Sequence, residues 1–268
     1  MTNPTSYNIE SDAITLTNPT KTGYEFTGWT YEGQTTPTVS VAIPQGSTGD
    51  REYTAHFNLI LAMEIASDTG SVFEPLENNL YKFNPTFTIT PTLTNGVSMT
   101  EKEKTNILAA LKVTDANSIA INSNSINKSW NNGNIVLSFS SELDACTTYT
   151  ISFGDIDSVN LTCLPLNFTT FHFKGSGTNG APYQIASATQ LNLVRNYLSS
   201  HFKQVDDIVL TGNWLPIGDY NNQFTGNYDG NNKTISNLAI SFESTNNEQY
   251  NSGCVGLFGC NSGSISNL

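Results

Sequence analysis

A five-residue motif near the end of this chain occurs twice, thirty residues apart. Thr234-Ile235-Ser236-Asn237-Leu238 returns as Ser264-Ile265-Ser266-Asn267-Leu268. A repeat of 20–50 residues built from short β segments and Gly/Asn turns is the mark of a solenoid. In each copy Ile and Leu are expected inward and Ser outward, with the Asn between Ser and Leu available for a corner that interrupts strict alternation. A single rung cannot bury its apolar side, so such a segment folds only by stacking on its neighbours. Upstream, Gly175-Ser176-Gly177 and Gly180-Ala181-Pro182 are turn signals. Ser187 and Gln190 then form an S-x-x-Q helix start, with Leu191, Val194 and Leu198 along one face. Asp207-Ile208-Val209-Leu210 reads as a strand, and Phe224 to Gly230 follows after a turn at Asn213–Gly218.

The rest of the 268 residues is β-patterned in another style. Ser6–Glu10, Ile14–Leu16, Tyr24–Trp29, Thr38–Pro44 and Tyr53–Phe57 are short alternating runs, divided by the turns Asn18–Gly23 and Gln45–Asp50. Tyr24 and Phe26 fall on one sheet face. Tyr24, Phe26, Trp29 and Tyr31 can stack a sugar or fill a core. A module of fewer than 60 residues needs its large side chains inside, so Trp29 is expected to be buried. Further along, Phe83–Thr92, Asn134–Phe139, Thr148–Phe153 and Leu166–Phe171 alternate again. One helix interrupts them: Ser98 or Thr100 can cap it, Glu101 and Glu103 suit its first turn, and Ile107, Leu108 and Leu111 are its apolar stripe.

Composition narrows the chemistry. Only 13% of residues are charged, and 23 acidic against 11 basic side chains leave a net charge of -12. Asn, Ser and Thr fill the gap, at about a third of the chain. The balance argues against nucleic acid or an anionic membrane as partner, and no apolar run reaches membrane-spanning length. The four cysteines, Cys146, Cys163, Cys254 and Cys260, form no CxxC pair, and the three histidines belong to no HExxH. GxSxG and the phosphate-binding GxxxxGK[ST] are also missing, and the glycines of Gly175–Gly180 read as a turn, since no Lys-Ser or Lys-Thr follows them. Neither an enzyme nor a cofactor or metal is expected. Asp144, Asp155 and Asp157 could ligate Ca²⁺, and Asp206, Asp207, Asp219 and Asp229 could serve glycoside cleavage. Turn chemistry accounts for both sets more simply. Tyr220, Tyr228 and Tyr250 sit in polar stretches, where they either cap the solenoid or offer rings to a glycan. Cys146 and Cys163 can bridge if their strands bring them together. Cys254 and Cys260 span about 20 Å if extended and are expected to be unbridged, since a bridge requires the chain to fold back at its glycines.

Three resemblances follow from these residues. Residues 1–58 resemble the Listeria–Bacteroides, or internalin-type B, repeat, through Tyr7–Glu10, Asn18–Trp29, Ile43–Asp50 and Tyr53–Phe57. That resemblance implies a small β-grasp-like module of extracellular bacterial proteins. Residues 59–173 resemble a bacterial Ig-like sandwich over their last forty or so positions, where Thr147-Thr148-Tyr149-Thr150 precedes the closing Asn167–Phe171 strand. Residues 174–268 resemble the GLUG-motif domain of secreted bacterial proteins. Trp214–Gly218, Phe224–Asn231, Thr234–Leu238 and Gly256–Gly259 carry that likeness. It implies the start of a right-handed parallel β-helix with a short capping helix.

The expected fold is therefore mostly β, in three modules, on a piece of a longer chain truncated at both ends and lacking its signal peptide. The expected function is non-catalytic: an extracellular or cell-surface, adhesin-like monomer whose spacer modules present a β-helix surface to a host or matrix protein or a glycan. The alternative is an accessory region of a carbohydrate-active enzyme, or of a zinc-dependent immunoglobulin protease, whose catalytic domain lies elsewhere.

Overall fold

The computed structural model describes residues 3–72, 80–241 and 253–268. It divides into two compact units. The first comprises Met1–Glu142 with Thr148–Phe168, the second Leu143–Thr147 with Thr169–Leu268.

The first unit opens with β1 (Ile14–Thr15), β2 (Tyr24–Tyr31), β3 (Gln34–Thr38), β4 (Ala42–Ile43) and β5 (Tyr53–Ser67). The alternating run Ser6–Glu10 is not a strand. Asn8 Oδ1 accepts from Glu10 N at 2.9 Å and from the Ser11 hydroxyl, so a local Asx turn replaces sheet pairing there. β1 pairs antiparallel with β4. Leu16, Val41 and Ile43, at the ends of these strands, bury Trp29 of β2, with Phe26, Tyr31 and Tyr53 packed around them. Trp29 is 7% exposed, and its indole N–H donates to Asn18 Oδ1 at 3.1 Å. Phe26 and Trp29 are three residues apart, which in a regular strand sends them to opposite faces. A bulge between Phe26 and Gly28 turns the second onto the face of the first, and their rings meet at 5.5 Å. Gly28 makes this possible. Its φ is +144°, and a Cβ there would lie 2.6 Å from Thr38 N.

β5 has 15 residues, so position 58/59 falls mid-strand. Its first half pairs with β2, from Tyr31↔Tyr53 to Tyr24↔Leu59. Its second half pairs antiparallel with β7 (Phe87–Leu93), and on the opposite edge Leu59–Met63 pairs parallel with β12 (Val159–Cys163). With β9 (Ile126–Asn131) and β10 (Asn134–Phe139) this makes a seven-stranded sheet. A four-stranded sheet runs β6 (Leu80–Tyr81), β13 (Leu166–Thr170), β11 (Thr148–Phe153), β8 (Leu111–Asp115). Aromatic rings join the two layers: Phe168 on β13 lies 4.9 Å from Phe87 on β7 and 6.3 Å from Phe139 on β10. The helix α1 (Glu101–Ala110) starts at Thr100 in a full capping box with Glu103 and buries Ile107. Leu111, expected on its stripe, instead begins β8 and is 3% exposed.

The second unit is built on parallel pairing. β14 (Tyr183–Ile185), β15 (His201–Gln204), β17 (Asn227–Asp229) and β19 (Ser264–Ser266) form one four-stranded parallel sheet in that order. β16 (Ile208–Val209) and β18 (Ile235–Ser236) form a second parallel pair. Tyr183, Phe202, Tyr228 and Ile265 stand in register across the first sheet, and Phe224 and Phe258 extend this stack inside. α2 (Ala188–Leu193) begins at Ser187, whose hydroxyl accepts from Gln190 N. Gln190 does not complete the box: its Oε1 accepts from Ala186 N and its Nε2 donates to His172 O.

The twin pentapeptides do not occupy equivalent places. Ile235 pairs with Ile208 in the second sheet, whereas Ile265 pairs with Tyr228 in the first. What they share is local: a two- or three-residue strand followed by an Asn with positive φ, +61° at Asn237 and +53° at Asn267. The repeat encodes a strand with a corner rather than a rung position.

Candidate functional site

The residues singled out from sequence separate on the structure. Tyr220 is 67% exposed, in the loop before β17. Tyr228, also expected in a polar loop, is instead fully buried in the parallel stack, which corrects its assignment as a glycan contact. Its hydroxyl donates to Gln204 Oε1 at 3.1 Å, and burial pushes its phenol well above the usual tyrosine range. Tyr250 lies outside the described residues. Of the two described tyrosines, Tyr220 alone offers its ring to solvent.

Gln204 is the residue that sequence reading missed. It is fully buried, and its amide is satisfied on both sides: Nε2 donates to Asp206 O at 2.9 Å and Thr234 O at 3.2 Å. Together with Tyr228 it links successive passes of the chain, as buried polar groups must when no water reaches them. Its neighbours Lys203, Asp206 and Asp207 are polar as well, so the sequence carries no signal that singles it out.

The aspartates hold backbone. Asp219 Oδ1 accepts from Asn221 N and Asn222 N, and Asp207 Oδ1 from Thr234 N. Asp206 Oδ1 accepts from Asp207 N. Asp229 Oδ1 accepts from Asn267 Nδ2 and from Asn231 N, both at 2.9 Å. Those two bonds keep its carboxyl below the ordinary range. Among the described residues no group of three or more His, Cys, Asp or Glu side chains is placed to hold a metal ion.

The cysteines reverse one expectation. Cys254 and Cys260 form a disulfide, with Cα atoms 5.0 Å apart. The chain folds back at the glycines: φ is +83° at Gly253 and +142° at Gly256. The closed loop lies along Trp214–Gly218. Ile217 N donates to Leu257 O, Gly259 N to Ile217 O, and the Trp214 indole N–H to Leu257 O. Phe258 thereby reaches Phe224 at 4.9 Å and Tyr228 at 5.2 Å. Cys146 and Cys163 are free thiols, both raised in pKa by partial burial.

A concavity lies in the first unit. Where β2, β3 and β5 meet, an open groove of about 1060 Å³ is lined by Thr30, Tyr31, Gln34, Tyr53, Thr54 and His56, with Glu32, Asp50, Arg51 and Glu52 around it. Thr30 Oγ1 and His56 Nε2 are 2.7 Å apart, and the Tyr31 and Tyr53 rings lie 5.4 Å apart.

These same strands carry a family likeness. Residues 1–61 match the divergent InlB B-repeat domain. The B-repeat domain thus covers the Trp29 core and ends within β5. The chain is also 39% identical over 94 residues to a Gly-rich membrane protein of Evansella cellulosilytica. That stretch is 32% of this chain, and the chain spans about a tenth of the relative's length. No solved structure matches the chain. Among the described residues no helix is long and apolar enough to cross a membrane.

Proposed function

We propose that this chain is a non-catalytic part of a bacterial cell-surface protein of adhesin type. In it the B-repeat domain and the Ig-like sandwich act as spacers, and the second unit begins a β-helix that displays a binding surface. The observation that carries this reading is the B-repeat match over residues 1–61. Three others support it. The similar Evansella protein is described as a membrane protein. The Cys254–Cys260 disulfide suits a compartment outside the reducing cytosol. The aspartates that could have served catalysis are spent on turns and strand ends.

Antibodies raised against the whole chain test the location. They should label intact cells of a bacterium that expresses the protein, and brief protease treatment of those cells should remove the label. Labelling only after permeabilisation would overturn the surface assignment. A panel of matrix proteins and glycans, probed with the same chain, tests the adhesin role: one saturable partner is expected, and turnover of any panel member would refute the non-catalytic reading.

A further inference from the structure

The first sheet has two unlike faces where β2, β3 and β5 run together. One packs Trp29 against Leu16, Val41 and Ile43. Thr30 and Thr54, which pair directly, point the other way, as expected for an antiparallel sheet with one solvated face. That side opens into the groove described above. Its volume, about 1060 Å³, is at the upper end for a small-ligand cleft and suits a segment of a chain-like ligand.

The chemistry of the lining is specific. Threonine and tyrosine hydroxyls both donate and accept, the Gln34 amide does the same, and the His56 ring adds a nitrogen on each side. Tyr31 and Tyr53 pair directly two residues from Trp29 and Ala55, so their half-buried rings lie on the core side of the sheet and border the groove only from there. Alternating donors and acceptors fit a polyhydroxyl ligand, whose hydroxyls can pair with both kinds of group. Most lining side chains sit on strands paired in fixed register, so little ordering entropy is lost on binding. Charge then selects among glycans. Three carboxylates, Glu32, Asp50 and Glu52, stand against one guanidinium, Arg51, and the Arg51 Nε–H already donates to the Tyr7 hydroxyl at 3.1 Å. A sulfated or uronic chain would meet net repulsion.

We propose that this groove binds a neutral or amine-bearing glycan segment, which gives the B-repeat domain a ligand site of its own. The inference is independent of what the second unit binds and of where the protein resides.

The test is calorimetric titration of the whole chain with neutral gluco-oligosaccharides, glucosamine oligomers and, as the anionic comparison, heparin oligosaccharides. Saturable binding to the neutral or amine-bearing series is expected, with heparin at least tenfold weaker. His56→Ala removes the ring that meets Thr30. Thr54→Val keeps the shape of an exposed position while removing its hydroxyl. Each should weaken binding about tenfold or more. If His56→Ala also lowers the melting temperature, Thr54→Val alone decides the matter. The proposal is overturned if neither glycan series binds, if heparin binds more tightly, or if Thr54→Val binds as the unaltered chain does.

Discussion

Opening the Cys254–Cys260 bridge should loosen the second unit without unfolding the first. The disulfide closes a loop of seven residues counted inclusively. On the chain-entropy view such a closure removes about 2.4 kcal/mol of freedom from the unfolded chain at 25 °C. Phe258 lies in this loop and touches Phe224 and Tyr228, so freeing it also exposes part of the aromatic stack. For a unit of roughly a hundred residues, 2.4 kcal/mol corresponds to a fall of about 10 °C in melting temperature. Differential scanning calorimetry of the whole chain, with and without reductant, should show one transition moving and the other fixed. The Cys254→Ser/Cys260→Ser double variant should reproduce the shift in the absence of reductant. Denatured, unreduced protein should titrate two thiols, those of Cys146 and Cys163. Four titrating thiols, or a double variant that melts like the unaltered chain, would refute the argument.

Other substitutions test other parts of the fold. Trp29→Ala should cost the first unit about 3–5 kcal/mol, read as a lowered urea midpoint for that transition, because it empties the centre of the B-repeat core. Gly226→Ala should destabilise the second unit by about 3 kcal/mol in the same assay, since its Cβ would sit 1.8 Å from Ser200 O. Gln204→Leu should cost about 1–3 kcal/mol, also by urea unfolding, by leaving the buried Tyr228 hydroxyl without its acceptor. Asp229 has a folded pKa below its unfolded one, so its contribution to stability is present above the ordinary carboxylate range and fades as pH falls through the lowered value. Melting temperatures of Asp229→Asn and the unaltered chain, measured from neutral to acidic pH, should therefore converge at the acid end.

Local rules were readable in the sequence where one residue type decides the outcome. Thr100, one of two possible caps, with Glu101 and Glu103 in the first turn announced α1, and the alternation at Asn134–Phe139 and Thr148–Phe153 matches β10 and β11 residue for residue. Asn8 shows the limit of alternation, because a side chain that bonds its own backbone removes a strand that the pattern favours. β12 was missed since its pairing with β5 is a parallel partnership between segments about a hundred residues apart, which leaves no local trace. The repeated pentapeptide showed that the second unit stacks but not which sheet each copy joins, for the turns between strands differ in length. Of the candidate site, Tyr220 is exposed, while Tyr228 is buried because its polar neighbours mark the corners of a strand whose centre points inward. The disulfide depended on backbone reversal at Gly253 and Gly256, and composition shows the glycines but not their dihedral angles.

β5 runs as one unbroken strand, Tyr53–Ser67, from its pairing with β2 in the B-repeat core to its pairing with β7 and β12. A strand paired along its length has no swivel. The two parts it joins cannot flex about each other as beads on a string do, and tension along the chain loads many ladder hydrogen bonds in parallel instead of peeling them singly. For a protein held at a cell surface, the first unit would then behave under flow as a stiff strut, and its failure would be a cooperative shear of β5 against β2 and β7.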